Sequence, residues 1–475
     1  MRRKRGRKPK DEIQILINDD EQIQQIGDGP FITDLPRSVV QEILLKLPIK
    51  SILMCKIVCK TWHCVISDPE FTHMHFHLNQ EEAYPMIRPW HRLRVGRTLY
   101  LVQPAENSGF DLEDHTNDNG TLKSIPWPVR MSITNCKIPL RNPEEAFKYH
   151  NKLVDYMLNR KRGAKKKHRP CINDINPLDH RYELVNSCNG LLCLAEEHNG
   201  PSVVCNPITG EFIHLPHVLK NESHKKCIGG GFGFSPKTNK YKVIRVLHEG
   251  ADHPIQVVDI EIHTLGTHSW KEVGSSPFAE HMKSPIYLKG ALYWYSILDS
   301  IASFDLDTEL FQSVPPLPFQ VDYLERGMGV LGESLSVCAT HDNQIDVGEV
   351  EDHGAQMSWK KKVYDDIDVG GRQSWPQRLY IPLKYLTDGA LLMFKRDTDA
   401  LVYYHPRRNY RSILYLDLKI RGRYREGFEV IRHVPSLMSL KDIEHDLEVL
   451  NVYSRCAEYK LPRETRGLQL KTLWW

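Results

Sequence analysis

Three histidines alternate with apolar residues in His73-Met74-His75-Phe76-His77. On a strand that spacing sets three imidazoles on one side, a donor set suited to zinc. No carboxylate or cysteine at ligand spacing completes the set, so the stretch reads as a polar face leading out of a helical unit. Cys55, Cys59 and Cys64 are four and five residues apart, not paired as C-x-x-C. No His or Asp context activates them as nucleophiles. Gly229-Gly230-Gly231 with Gly233 makes neither G-x-G-x-x-G nor a phosphate loop, because no Gly-Lys-Ser/Thr follows, and it reads as the start of a strand. No nucleophile elbow or paired-carboxylate signature stands in its expected context. The expectation is a chain without catalytic residues, metal or cofactor.

The elements around these residues begin with three short helices in residues 31–77. Leu35-Pro36 opens the first, with Asp34 as N-cap, and Val39, Val40, Ile43, Leu44 and Leu47 follow at helical spacing. Pro48 stops it, since proline has no N–H for the preceding turn. Ser51 caps or starts a second helix carrying Ile52, Leu53, Ile57 and Val58; Thr61-Trp62 starts a third that ends near Ser67-Asp68-Pro69. A unit this small has little core, yet it is apolar on more than one helix face. Either it packs on its own chain or it buries a spare apolar face in another protein.

The order Leu35-Pro36, Glu42-Ile43-Leu44, Leu47-Pro48, Ser51-Ile52-Leu53, Val58-Cys59-Lys60, Trp62, Ile66, Asp68-Pro69, Phe71 resembles an F-box over nearly the whole of that motif. Cys55-Lys56 is a mild departure from the usual Arg or hydrophobic residue. The resemblance implies docking on the small SKP-type adaptor of SCF ubiquitin ligases, and through it on a cullin. Leu35, Pro36, Ile43, Leu44, Leu47, Pro48, Ile52, Val58 and Trp62 are then candidates for adaptor contact or for the small core behind it. Polar changes at Leu35 and Leu47 are expected to weaken adaptor binding if these two are central anchors.

The chain has 475 residues, 41% of them hydrophobic, and a mean hydropathy of −0.45. No run of about 18 apolar residues is present, so no membrane span is expected. The basic start lacks the apolar stretch of a secretory signal. Eleven cysteines, an odd count in a long chain, favour reduced thiols in nucleus and/or cytoplasm. The net charge of +3 points to no partner class, but local charge does. Arg2, Arg3, Lys4, Arg5, Arg7 and Lys8 form a basic tail, read as a nuclear-import signal, a weak nucleic-acid contact or a solvated tail. Its Arg5-Gly6-Arg7-Lys8-Pro9 resembles an AT-hook interrupted by Lys8. Residues 11–30 are acidic and Gln-rich, so 1–30 reads as a disordered tail and linker.

Residues 93–460 read as a β domain. Strand-like runs appear at Arg97–Val102 and Gly109–Leu112. A helical, basic insertion near 140–180 then opens at Asn142-Pro143-Glu144-Glu145, and its basic run includes Lys165, Lys166 and Lys167, read as a second import-signal candidate, a phosphate-binding patch or a solvated face. From 181 onward glycine-led strands recur: Asn189-Gly190-Leu191-Leu192, Lys289-Gly290-Ala291-Leu292, Asp388-Gly389-Ala390-Leu391 and, more weakly, Gly332–Val337, with Gly231-Phe232-Gly233-Phe234 as a further one. Polar turns follow, as in Asn206-Pro207-Ile208-Thr209-Gly210 and Asp305-Leu306-Asp307-Thr308. Gly190, Gly233, Gly290, Gly332 and Gly389 lie 43, 57, 42 and 57 residues apart. A period near 40–50 with several short strands predicts propeller blades, six or seven of them, because one small sheet cannot bury both faces alone. Residues 461–475 read as a ring-closing strand, with a docking tail as the alternative. The fold class expected is α+β multidomain: a small three-helix unit followed by a large all-β propeller-like repeat domain.

Asn186-Ser187-Cys188-Asn189-Gly190-Leu191-Leu192-Cys193 followed by Cys205–Gly210 resembles the plant F-box-associated, kelch-related domain. Together the two resemblances imply a non-catalytic substrate-recognition subunit of an SCF-type ubiquitin ligase, holding an unknown target protein on its β domain. The alternatives are a nuclear nucleic-acid-associated regulator using the basic clusters, and a propeller lectin or enzyme.

Overall fold

The computed structural model describes residues 35–89, 97–104, 131–141, 181–196, 200–216, 225–249, 258–276, 284–295, 301–317, 326–341, 344–352, 357–365, 379–386, 389–396, 400–404, 414–416, 427–444 and 446–453. The N-terminal part holds four helices rather than three: α1 (Arg37–Leu45), α2 (Ile49–Cys55), α3 (Lys60–Ile66) and α4 (Pro69–Asn79). Pro36 and Pro48, not Asp34 and Ser51, occupy the N-cap positions of α1 and α2, and Asp34 lies outside the described residues. A proline just before a helix forfeits no helical hydrogen bond. Cys59 caps α3 through its sulfur, which accepts from the Trp62 amide at 3.4 Å.

The third helix ends at its C-cap Ser67, near Asp68-Pro69 as expected, but Asp68-Pro69 also start a fourth helix, α4, beyond the three expected. Asp68 is its N-cap, accepting from the Glu70 amide at 3.0 Å, and Pro69 is its first residue. The three alternating histidines therefore sit on a helix, not a strand. His75 is buried while His73 and His77 are exposed, so the imidazoles do not converge.

Beyond Ala83 the described chain is almost entirely β. Six antiparallel sheets of four strands, one with a fifth strand added, form a six-bladed propeller. Five blades run from the innermost strand outwards in chain order: blade two from Glu183–Cys188, blade three from Lys225–Ser235, blade four from Ile286–Leu288, blade five from Arg326–Leu331 and blade six from Tyr380–Tyr385. Blade one takes its innermost strand from far along the chain. Phe428–His433 pairs with Tyr84–Pro89, which is followed by Thr98–Pro104 and Met131–Lys137. The ring thus starts at Tyr84, ahead of residue 93, and Phe428–His433 closes it; residues 461–475, 1–30, 109–112 and the 142–180 segment lie outside the described residues.

Alternation along the strands explains the packing. In blade two Leu192 and Leu194 face blade one, while Cys193 faces blade three beside Phe232 and Val243. The same arrangement repeats at every seam, so each of six apolar clusters fills one gap between neighbouring blades. The recurring glycines mostly serve turns. Asn189-Gly190 and Lys289-Gly290 have φ of 46° and 82°, and 47° and 86°, the paired left-handed values of a tight hairpin. Gly233 does not belong to this series. It lies inside the first strand of blade three, where a Cβ would come within 2.4 Å of Leu306, so it serves close blade packing instead. The polar turns repeat as structure too: Asn206 Oδ1 accepts from the Ile208 and Thr209 amides, and Asp305 Oδ1 from those of Asp307 and Thr308.

After closing the ring, residues 434–444 and 446–453 form a strap across blades two and three. Fully buried Asn206 donates to the carbonyls of Ser436 (3.0 Å) and Met438 (2.8 Å), and Glu211 accepts from the Leu440 amide at 2.9 Å. Leu450-Asn451 then pairs with the outer edge of blade two, which blunts that exposed edge. Asn206→Leu removes the bonds of Asn206 to the Ser436 and Met438 carbonyls and from the Ile208 and Thr209 amides, all at a buried site, and leaves the Glu211–Leu440 bond in place. The expected loss is about 3–5 kcal/mol of unfolding free energy in urea titration, because backbone carbonyls and amides are left unsatisfied. A loss under about 1 kcal/mol would mean the strap does not depend on it.

Candidate protein-docking face

The four helices have a core and a spare surface. Val40 and Leu44 point inwards from α1, Ile49 and Ile52 from α2, Val65 and Ile66 from α3, and Phe71 from α4, all buried. This cluster does not end at the helices. It continues into Met86 and Leu101 of blade one, Ile208 in a turn of blade two, and Leu437 and Val452 of the strap. The α4–blade-one joint is fixed further by Lys384, which pairs with Glu82 at 2.6 Å and lies 4.5 Å from the Tyr84 ring. The helices therefore stand on the end of the ring that carries the Asn189-Gly190 and Asn206–Gly210 turns.

On the side away from this core, large apolar groups meet solvent. Val39 and Ile43, one turn apart on α1, are 39% and 40% exposed. Met54 at the end of α2 and Ile57-Val58 in the turn after it are 60%, 76% and 65% exposed. Burying side chains of this size on a partner yields about 1.5–3 kcal/mol each. Exposed Lys46, Lys50 and Lys60 stand on the same three-helix segment.

Two family matches can be set on this geometry. The F-box domain matches residues 32–74 and the F-box associated beta propeller domain matches residues 148–440, more than half of the chain. The chain is an F-box protein. Its relatives include a putative F-box protein of Arabidopsis thaliana, 24% identical over 437 residues that cover 86% of this chain and 94% of that protein. An F-box/LRR-repeat/kelch-repeat protein of the same plant is 26% identical, covering 70% and 77%, and an F-box/kelch-repeat protein is 23% identical, covering 78% and 87%.

The F-box structure separates the nine residues that the motif brought together. Leu44 and Ile52 are 0% exposed and belong to the core. Leu35, Leu47, Pro48 and Trp62 are half-buried, and Leu35, Leu47 and Trp62 pack on that core. Pro36, Ile43 and Val58 are exposed. Val39, Met54 and Ile57 join the exposed face without having been singled out. The available signal was their phase: Val39 and Ile43 share a stripe next to, not on, the one formed by Val40 and Leu44. The import-signal candidates Arg2, Arg3, Lys4, Arg5, Arg7, Lys8, Lys165, Lys166 and Lys167 all lie outside the described residues.

Among the described residues no three His, Cys, Asp or Glu side chains stand together as metal donors. Nine described cysteines are free thiols, and burial raises Cys188, Cys193, Cys205 and Cys338 away from the reactive thiolate. Ser187 Oγ meets His433 Nδ1 at 2.9 Å, the contact of a nucleophile with its base. Burial, however, lowers the His433 pKa to about 3, and no carboxylate holds its Nε2, so it is a poor base. Its folded pKa is depressed, so its contribution to stability is present above an unfolded value near 6.5 and declines as pH falls towards 3. Chemical denaturation at pH 7 and pH 5 should show a loss of about 1–2 kcal/mol from this residue. A His433→Gln chain should lose less over the same interval; equal losses would remove His433 as the cause.

Proposed function

We propose that this F-box protein is the substrate receptor of an SCF-type ubiquitin ligase and makes no bonds itself. Membership of the F-box family supports a substrate-recognition role, and the observation that carries the finer reading is the exposed face of Val39, Ile43, Met54, Ile57 and Val58 on helices already anchored from behind. That face docks on the SKP-type adaptor, with a cullin beyond it. The propeller holds a target protein, and the shared core between helices and ring gives the target a fixed bearing, which raises the effective concentration of its lysines near the ubiquitin-loaded enzyme.

The target belongs at the end of the ring away from the helices, where the innermost strands of the blades begin. At the turn end the F-box packs on blades one and two and the strap crosses blades two and three. We assign the complex to the nucleus and/or cytoplasm on its basic runs and reduced cysteines. Co-expression with a SKP-type adaptor, cullin and RING subunit tests the reading. One co-eluting complex that discharges ubiquitin from a charged conjugating enzyme supports it; elution of the folded chain apart from the other three contradicts it.

A further inference from the structure

Among the described residues of the propeller, three buried arginine side chains have a carboxylate. Arg88 and Arg181, with side chains 4% and 8% exposed, share Glu429, and Arg245, also 8% exposed, pairs with Glu261. Arg432 differs. It stands on Phe428–His433, the innermost strand of the blade that closes the ring, opposite Pro85. By strand alternation it lies on the side of Phe428 and Val430, which pack with Leu383, Leu386 and Leu392 in the seam between blades one and six. Its Nε is closed off from solvent and meets no acceptor. Burial alone shifts its pKa, down to about 10, with no charged neighbour acting on it. The residue as a whole is only half-buried, so part of the side chain meets solvent.

A guanidinium in an apolar wall without a counter-charge destabilises a fold, and replacing it by a hydrophobic group of similar length is then neutral or favourable. The side chain makes sense if the seam receives an anion from outside the chain. We propose that Arg432 anchors an anion site at the seam between blades one and six, taking a carboxylate or phosphate group through its planar fork of donors. The site lies one residue from the ring end on which the F-box stands, on the strand that closes the ring by pairing with Tyr84–Pro89. An anion there would brace that closing strand against blade six.

Thermal melts of the full chain and of Arg432→Met test this, in chloride, inorganic phosphate and acetate at matched ionic strength. Phosphate or acetate should raise the wild-type Tm by roughly 2 °C or more, by binding the folded state alone. A response to phosphate only, or to acetate only, identifies the group. Arg432→Met should melt no lower than wild type in chloride and respond to neither anion. A lower melting Arg432→Met chain in chloride would show that the guanidinium has a partner within the chain, and would overturn the proposal. So would a wild-type chain indifferent to both anions, or an anion response that survives the substitution. None of these outcomes depends on the ubiquitin-ligase reading.

Discussion

Gly329→Val is expected to destabilise the propeller by more than about 3 kcal/mol and to open the seam between blades five and six. Gly329 lies in the innermost strand of blade five, and a Cβ there would stand 2.0 Å from the Pro382 carbonyl oxygen. Gly327, two residues earlier on the same side, would meet the Tyr380 carbonyl at 2.0 Å. The obstacle in both cases is backbone, which cannot rotate aside as a side chain can, so one blade must move bodily. Gly332 provides the contrast. It has a positive φ of 58° with nothing within 4 Å, so Gly332→Ala should cost about 1 kcal/mol, through backbone conformation only. Urea unfolding of the two variants separates steric from conformational cost. Equal effects would mean that blades five and six are not in backbone contact.

The second large effect concerns docking. A double Ile57→Asp, Val58→Asp chain is expected to lose adaptor binding by 100-fold or more, about 2.7 kcal/mol, while its unfolding midpoint stays close to wild type. Both residues are well exposed in the free protein, so new carboxylates there meet water until a partner arrives. Leu44→Ala and Ile52→Ala should behave in the opposite way. Each opens a cavity in a fully buried position and should cost about 2–5 kcal/mol of stability, with weakened docking only as a consequence. Leu35 and Leu47 lie between the extremes, half-buried against the same core, so polar groups there should lower stability and binding together. Calorimetric titration beside denaturant unfolding distinguishes the three behaviours. Unchanged binding by a folded Ile57→Asp, Val58→Asp chain would move the interface elsewhere.

Much of this organisation was legible in the residues. The F-box motif is local, and its prolines and apolar spacing fix short helices whatever follows them. The glycine-led hairpins and Asx turns are local as well, and their recurrence gave the propeller. What escaped depends on long-range contact. Asp68-Pro69 carries both a stop signal and a start signal, and only the packing of Phe71 into the core selects the start of α4. Gly233 has the neighbours of a turn glycine, but its role is set by Leu306 and Tyr287 of the next blade. The ring-closing strand Phe428–His433 has no periodicity that ties it to Tyr84–Pro89, more than 300 residues earlier. At the docking face the motif identified the right helices, yet the motif alone does not separate Leu44 from Ile43. One residue of helical rotation decides that one is core and its neighbour is surface.

The central claim is that this F-box docks on an adaptor while joined rigidly to the propeller. Calorimetric titration of the full chain with a purified SKP-type adaptor addresses it most directly. A saturable one-to-one association, abolished by Ile57→Asp, Val58→Asp in a chain that remains folded, is the predicted result. A folded wild-type chain that shows no association would contradict the account and leave the exposed face of α1 and the α2–α3 turn without its partner.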